Sequence, residues 1–147
     1  MVIELNIIMK KILLIATVIL SGIFAHAQEG KWKIKINGKT LLYTSIEDEK
    51  NNTKKISSSD WRKPGYLEII YTEADPSFWR RSFLFTDEKD NQLLSKDSTT
   101  KAKIPLSTLR KLFAGKKEVV IYTVASPVNP DIAVRIRRVH LCTLKLR

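Results

Sequence analysis

From Lys31 to Ile36 apolar and basic residues alternate without a break, with Trp32, Ile34 and Ile36 on one side and Lys31, Lys33 and Lys35 on the other. A period of two predicts a half-buried β-strand. Asn37-Gly38 comes next, and because both residues tolerate positive φ the pair predicts a tight hairpin into a second strand from Lys39 to about Ile46. From Glu47 to Lys63 the chain turns polar, with Asn51-Asn52 and the run Ser57-Ser58-Ser59, which reads as an exposed loop. Strands are predicted again over Tyr66 to Thr72 and Phe78 to Thr86, with Asp75-Pro76 between them. In the second of these, Trp79, Phe83 and Phe85 share a face with Arg81. The segment Asp87 to Asn91 is a polar turn.

Between Ser107 and Gly115 the period lengthens to about 3.6, placing Leu109, Leu112 and Phe113 on one helical face. Ser107 is the expected cap and Gly115 the expected terminator of this two-turn helix. Glu118 to Ala125 is β-branched and nearly all apolar, as a central strand would be, and Pro127 and Pro130 bound the loop after it. Strict alternation from Ile132 to Leu146 would set Arg138 among His140, Cys142 and Leu144. A bulge or break near Arg137-Arg138 is therefore expected. Seven to nine short antiparallel strands with one short helix define an all-β domain, a small β-sandwich with a small β-barrel as the alternative.

The start of the chain follows a different pattern. Met9-Lys10-Lys11 precedes the apolar run Ile12 to Phe24, and Ala25-His26-Ala27 follows it. A charged start, a run too short to span a bilayer and small residues at the end are the parts of an export signal. Residues 1–27 are thus read as a signal peptide, with Met9 as the true start, and residues 28–147 as one domain in the periplasm or outside the cell. The one cysteine, Cys142, lies far from that cleavage position, so no lipid is expected on a cysteine there. From Gln28 onward 24 Lys and Arg face 14 Asp and Glu, a formal charge of +10. A charge of that size leaves a surface of positive potential that attracts anions.

Candidate chemistry is sparse. A transition-metal site needs three or four convergent ligands, whereas the domain holds one histidine and one cysteine; no metal or other cofactor is expected. His140 and Cys142, two apart on a strand, suggest a thiol activated by imidazole, but a buried free cysteine packing in the core is the stronger expectation. Asp87 to Asn91 lacks the ligand series of a calcium loop. Glu73 with Asp75, and Glu47 with Glu49, are carboxylates in loops that nothing holds at a catalytic separation. Basic residues beside tryptophan recur at Lys31-Trp32-Lys33, Trp61-Arg62-Lys63 and Trp79-Arg80-Arg81, a composition that engages anions and stacks on flat rings. The candidate binding residues are Trp61, Arg62, Lys63, Arg80, Arg135 and Arg137. Together these features point to an exported, non-catalytic binding or accessory domain for an anionic partner: envelope lipid, acidic polysaccharide, nucleic acid or protein. A small hydrolase-like enzyme using loop carboxylates and a structural part of an envelope assembly are the competing readings.

Overall fold

The structure, a computed structural model, describes residues 30–73 and 76–146. The signal-peptide reading of residues 1–27 and the candidate carboxylate Asp75 lie outside the described residues. Two sheets form. The first has the order β2-β1-β4-β7 and contains β1 (Lys31–Ile36), β2 (Lys39–Thr44), β4 (Tyr66–Thr72) and β7 (Lys101–Pro105). The second has the order β3-β9-β8-β5-β6 and contains β3 (Thr53–Ile56), β5 (Trp79–Thr86), β6 (Gln92–Lys96), β8 (Glu118–Pro127) and β9 (Arg138–Leu146).

The alternation read in β1 is what builds the first sheet. Trp32, Ile34 and Ile36 are buried together with Leu67, Ile69 and Tyr71 of β4 and Ala102 and Ile104 of β7. The second sheet answers with Phe83 and Phe85 of β5, Val119 and Ile121 of β8, and Cys142 and Leu144 of β9, all in one continuous core. Trp32 ties the layers by donating its indole N–H to the Leu141 carbonyl at 3.0 Å, which satisfies a polar group that burial would otherwise strand. These are the two packed layers of a β-sandwich. No closed barrel forms among the described residues.

Several details differ from the reading of the sequence. The stretch from Glu47 to Lys63 is not one exposed loop, since it holds β3 and a one-turn helix, α1 (Ser58–Arg62). Strand β3 carries a single apolar residue, Ile56, and is held by main-chain pairing to Thr143–Leu146 in the parallel sense, so the strands are not all antiparallel. The Ser57 hydroxyl caps α1 by accepting from the Asp60 amide at 3.1 Å. The other helix, α2 (Leu106–Leu112), starts two residues early, with Pro105 at the cap position, because β7 runs straight into it. Ser107 does not cap it: the Leu106 amide donates to the Gly65 carbonyl at 2.9 Å, so that end group is already satisfied. Gly115 does adopt the positive φ of a terminator, +74°.

Strand β9 begins at Arg138, as the expected break requires, but its register shift comes later. Ile121 pairs with Cys142 and Tyr122 with His140, so Leu141 is the extra residue. This one-residue slip reverses the side-chain order. Cys142 enters the core while His140 packs on the outer face against Tyr122, with ring centroids 5.7 Å apart. The two are not on one face, contrary to uninterrupted alternation. Among the described residues no helix is long and apolar enough to cross a membrane.

Candidate anion-binding face

Residues that alternate with a buried set must point away from it. On β1 that rule turns Lys31, Lys33 and Lys35 outward, and on β7 it turns Lys101 and Lys103 outward on the same side of the sheet. Strand β4 lies between them, and the register aligns Lys33 with Ile70 and Lys101, and Lys35 with Glu68 and Lys103. The lysines therefore form two rails. Within a rail they repeat every two residues, about 6.7 Å, and the rails stand two strand spacings apart, about 9.5 Å. The strip between is formed by Thr72, Ile70, Glu68 and Tyr66 of β4. Tyr43 flanks it opposite Lys33, with the Lys33 ammonium 5.0 Å from its ring centroid. Tyr66 closes the other end, with Lys103 at 4.5 Å.

Among the described residues none of these five lysines is in a salt bridge, and neither is Glu68. Lysines often blunt the exposed edge of a sheet. That role covers β7, an edge strand, but not β1, which sits between β2 and β4. With one carboxylate against five ammonium groups the face keeps a net positive charge that its own neighbours leave open.

The opposite outer face contrasts with this. There a cleft of about 260 Å³ is lined by Glu49, Asp87, Glu88, Asp90 and Glu118, with Tyr122 and Thr143 among its other walls. Most of these acids are already engaged. Asp87 accepts from Lys116 Nζ at 2.7 Å, from the Lys89 and Asn91 amides at 2.9 Å, and from the Asn91 side chain. Lys116 first, then Asn91, hold its carboxyl well below the ordinary carboxylate range. Asp90 takes both ends of the Arg138 guanidinium at 2.9 and 3.2 Å, Glu118 lies 3.7 Å from Lys145, and Glu88 accepts from the Lys117 amide. Arg138 thus lies outside the core, over the Tyr122 ring at 4.0 Å.

The sequence-derived candidates fall on separate elements. Trp61 and Arg62 are on α1, with Lys63 just after it; Trp61 is half-buried against the core, and Lys63 lies 3.6 Å from Asp60. Arg80 points outward from β5 opposite Ser126. Arg135 and Arg137 lie in the irregular segment before β9, where Arg137 pairs with Glu47 at 2.5 Å. Two of the carboxylates weighed for catalysis, Glu73 and Glu47, are held too. Glu73 grips buried Arg81, whose guanidinium also donates to Thr123 and stacks 3.6 Å over Tyr71, and Glu47 accepts from the His140 amide at 2.8 Å. Burial pushes the Cys142 thiol up to about 12, which leaves it un-ionised and unreactive. His140 is driven below its usual value by desolvation, and its Nε2 meets the Thr143 hydroxyl at 2.8 Å.

Lys101 and Lys103 are the residues that the sequence reading passed over. Their signal was present, since Lys101-Ala102-Lys103-Ile104 repeats the alternation of β1, but nothing local says that the two segments share a sheet. Among the described residues no cluster of three or more His, Cys, Asp or Glu could hold a metal ion. No family model, curated protein or solved structure matches the chain.

Proposed function

We propose that this chain is an exported, non-catalytic binding domain whose partner is a polyanion lying along β4 between the two lysine rails. The observation that carries the reading is that five lysines on β1 and β7, the strands flanking β4, face one way with no salt-bridge partner among the described residues. Electrostatic attraction of this kind speeds encounter and gives affinity that falls with salt. Export rests on Met9-Lys10-Lys11, the apolar run and Ala25-His26-Ala27; protein recovered from the envelope or medium is expected to begin at Gln28 by intact mass, and retention of Ile12 to Phe24 would refute that part.

A salt titration on immobilised heparin and on single-stranded DNA tests the binding. Replacing Lys31, Lys33 and Lys101 with Ala together is expected to lower the slope of log affinity against log salt on the DNA by about 2, at about 0.7 for each single-strand phosphate released. Glu68→Gln should tighten binding, because it removes the one negative charge in the strip. The Trp61→Ala, Arg62→Ala double variant and the Lys116→Ala, Lys117→Ala double variant remove charge elsewhere and should do less. Losses that follow only the number of charges removed would reduce the face to bulk charge. Absence of binding near physiological salt would end the reading.

A further inference from the structure

At the Tyr66 end of the strip the surface dips into a notch of about 300 Å³ lined by Pro64, Gly65, Tyr66, Pro105, Ser107 and Arg110, at the small end of ligand pockets. Two observations join it to the rails. Tyr66 lines the notch and its ring carries the Lys103 ammonium, and Pro105 is the next outward residue along β7 after Lys103.

The rim of the notch is held firmly. The Asn37 amide donates to the Tyr66 carbonyl at 3.0 Å, and the Tyr66 amide donates to Asn37 Oδ1 at 3.1 Å. Gly65, at φ +152°, leaves room for this pairing; a Cβ there would lie 1.6 Å from Asn37 Oδ1. Arg110 Nη1 donates to the Trp61 and Lys63 carbonyls at 2.8 and 3.2 Å, which fixes the guanidinium. Its Nε and Nη2 make no hydrogen bond to any described residue.

Resting on the polyanion reading, we infer that the partner is a single-stranded nucleic acid, its backbone between the rails and one base in the notch, stacked on Tyr66 with its edge acceptors toward Arg110. A flat ring between proline and tyrosine surfaces, beside a planar guanidinium, is what a base requires. A lipid headgroup or polyphosphate has no such ring to offer. A duplex keeps its bases inside the stack, and a flat sheet face has no projecting element to enter a groove. Tyr43, 63% exposed, supplies a second stacking surface at the other flank, and sequence-tolerant stacking combined with a cationic track is how single strands are held.

Fluorescence anisotropy on the purified protein tests this with three probes: an oligothymidylate of about twelve nucleotides, an abasic sugar-phosphate oligomer of equal length, and heparin. The oligothymidylate is expected to bind at least about 10-fold more tightly than the abasic chain. Tyr66→Ala should weaken it about 5- to 100-fold while leaving the abasic and heparin affinities unchanged, and Tyr66→Phe should keep it. Ser107→Trp, which fills the notch without touching a lysine, should give the same selective loss, and thermal unfolding confirms that each variant folds. Equal affinity for the two oligomers, or an equal loss across all three probes in Tyr66→Ala and Ser107→Trp, would overturn the inference while heparin binding kept the lysine-face reading standing. If the unaltered protein bound none of the probes, both would fall.

Discussion

On the five-stranded sheet and the loops around it five ion pairs form, Arg81 with Glu73, Asp87 with Lys116, Asp90 with Arg138, Glu118 with Lys145 and Glu47 with Arg137, while Lys54, Lys55, Arg80 and Lys96 of the same sheet enter none among the described residues. On the four-stranded sheet Lys31, Lys33, Lys35, Lys101 and Lys103 face outward with no such partner among the described residues. The difference lies in how partners are delivered. Pairs such as Asp90 with Arg138 and Glu47 with Arg137 are 48 and 90 residues apart in sequence, and loops or strand ends bring them together. A lysine inside a regular strand meets only its cross-strand neighbours, and here those neighbours are Thr72, Ile70, Glu68, Tyr43 and Thr40. On the four-stranded face register supplies a single carboxylate, Glu68, between Lys35 and Lys103, so the cations there outnumber what the adjacent strands present.

The largest effect expected from breaking this contrast is on the matched side. Arg81 is 7% exposed, so Arg81→Ala leaves Glu73 buried without its partner and should cost about 3–5 kcal/mol in urea unfolding; a cost near zero would show that the matched pairs do not hold the sheet. On the open side the weak point is geometric, not electrostatic. Gly65→Ala forces a Cβ into Asn37 at a φ that side chains avoid and should cost about 1–3 kcal/mol, with the oligonucleotide affinity of the notch falling alongside.

A smaller effect belongs to Asp87. Its folded carboxyl is held below the ordinary value, so the unfolded chain takes up this proton first. The stabilisation is complete above about pH 4 and is lost as pH falls through the folded value. Asp87→Asn should therefore lower the unfolding temperature at neutral pH and flatten its fall in acid; an unchanged acid profile would assign that fall to other groups. The smallest effect sharpens the comparison from the other side. Lys31→Ala, Lys33→Ala and Lys101→Ala should each change stability by less than about 0.5 kcal/mol, since no ion pair with a described residue is lost. A large loss would mean that these lysines serve the fold and not a partner.

Much of the architecture was legible along the chain. The bounds of β1 and β4 coincide with the strands predicted from the sequence, and Arg81 was placed on the face of Phe83 and Phe85. Strand β3 was not legible, because Thr53-Lys54-Lys55-Ile56 has one apolar residue and owes its form to the backbone of Thr143–Leu146. Helix α1 had a readable start in Ser57 and Asp60, hidden in a run that looked like a loop. The bulge was anticipated from the awkward place of Arg138, but it settled at Leu141, where one extra residue lets both Leu141 and Cys142 be buried. Of the candidate site, the lysines of β1 were visible as an outward row, and Lys101, Lys103 and the notch were not.

The sequence by itself determined that this is an all-β domain, which residues of β1 and β5 share a face, and that the surface would be strongly basic. Those properties are local: side-chain direction follows from a period of two, and charge follows from composition. Only the tertiary structure decided that β7 lies two strands from β1, that Tyr66 joins the lysine strip to the notch, and that the carboxylates gather against cations on the other sheet. Those depend on register and on contacts between residues far apart in the chain, which no window of the sequence contains.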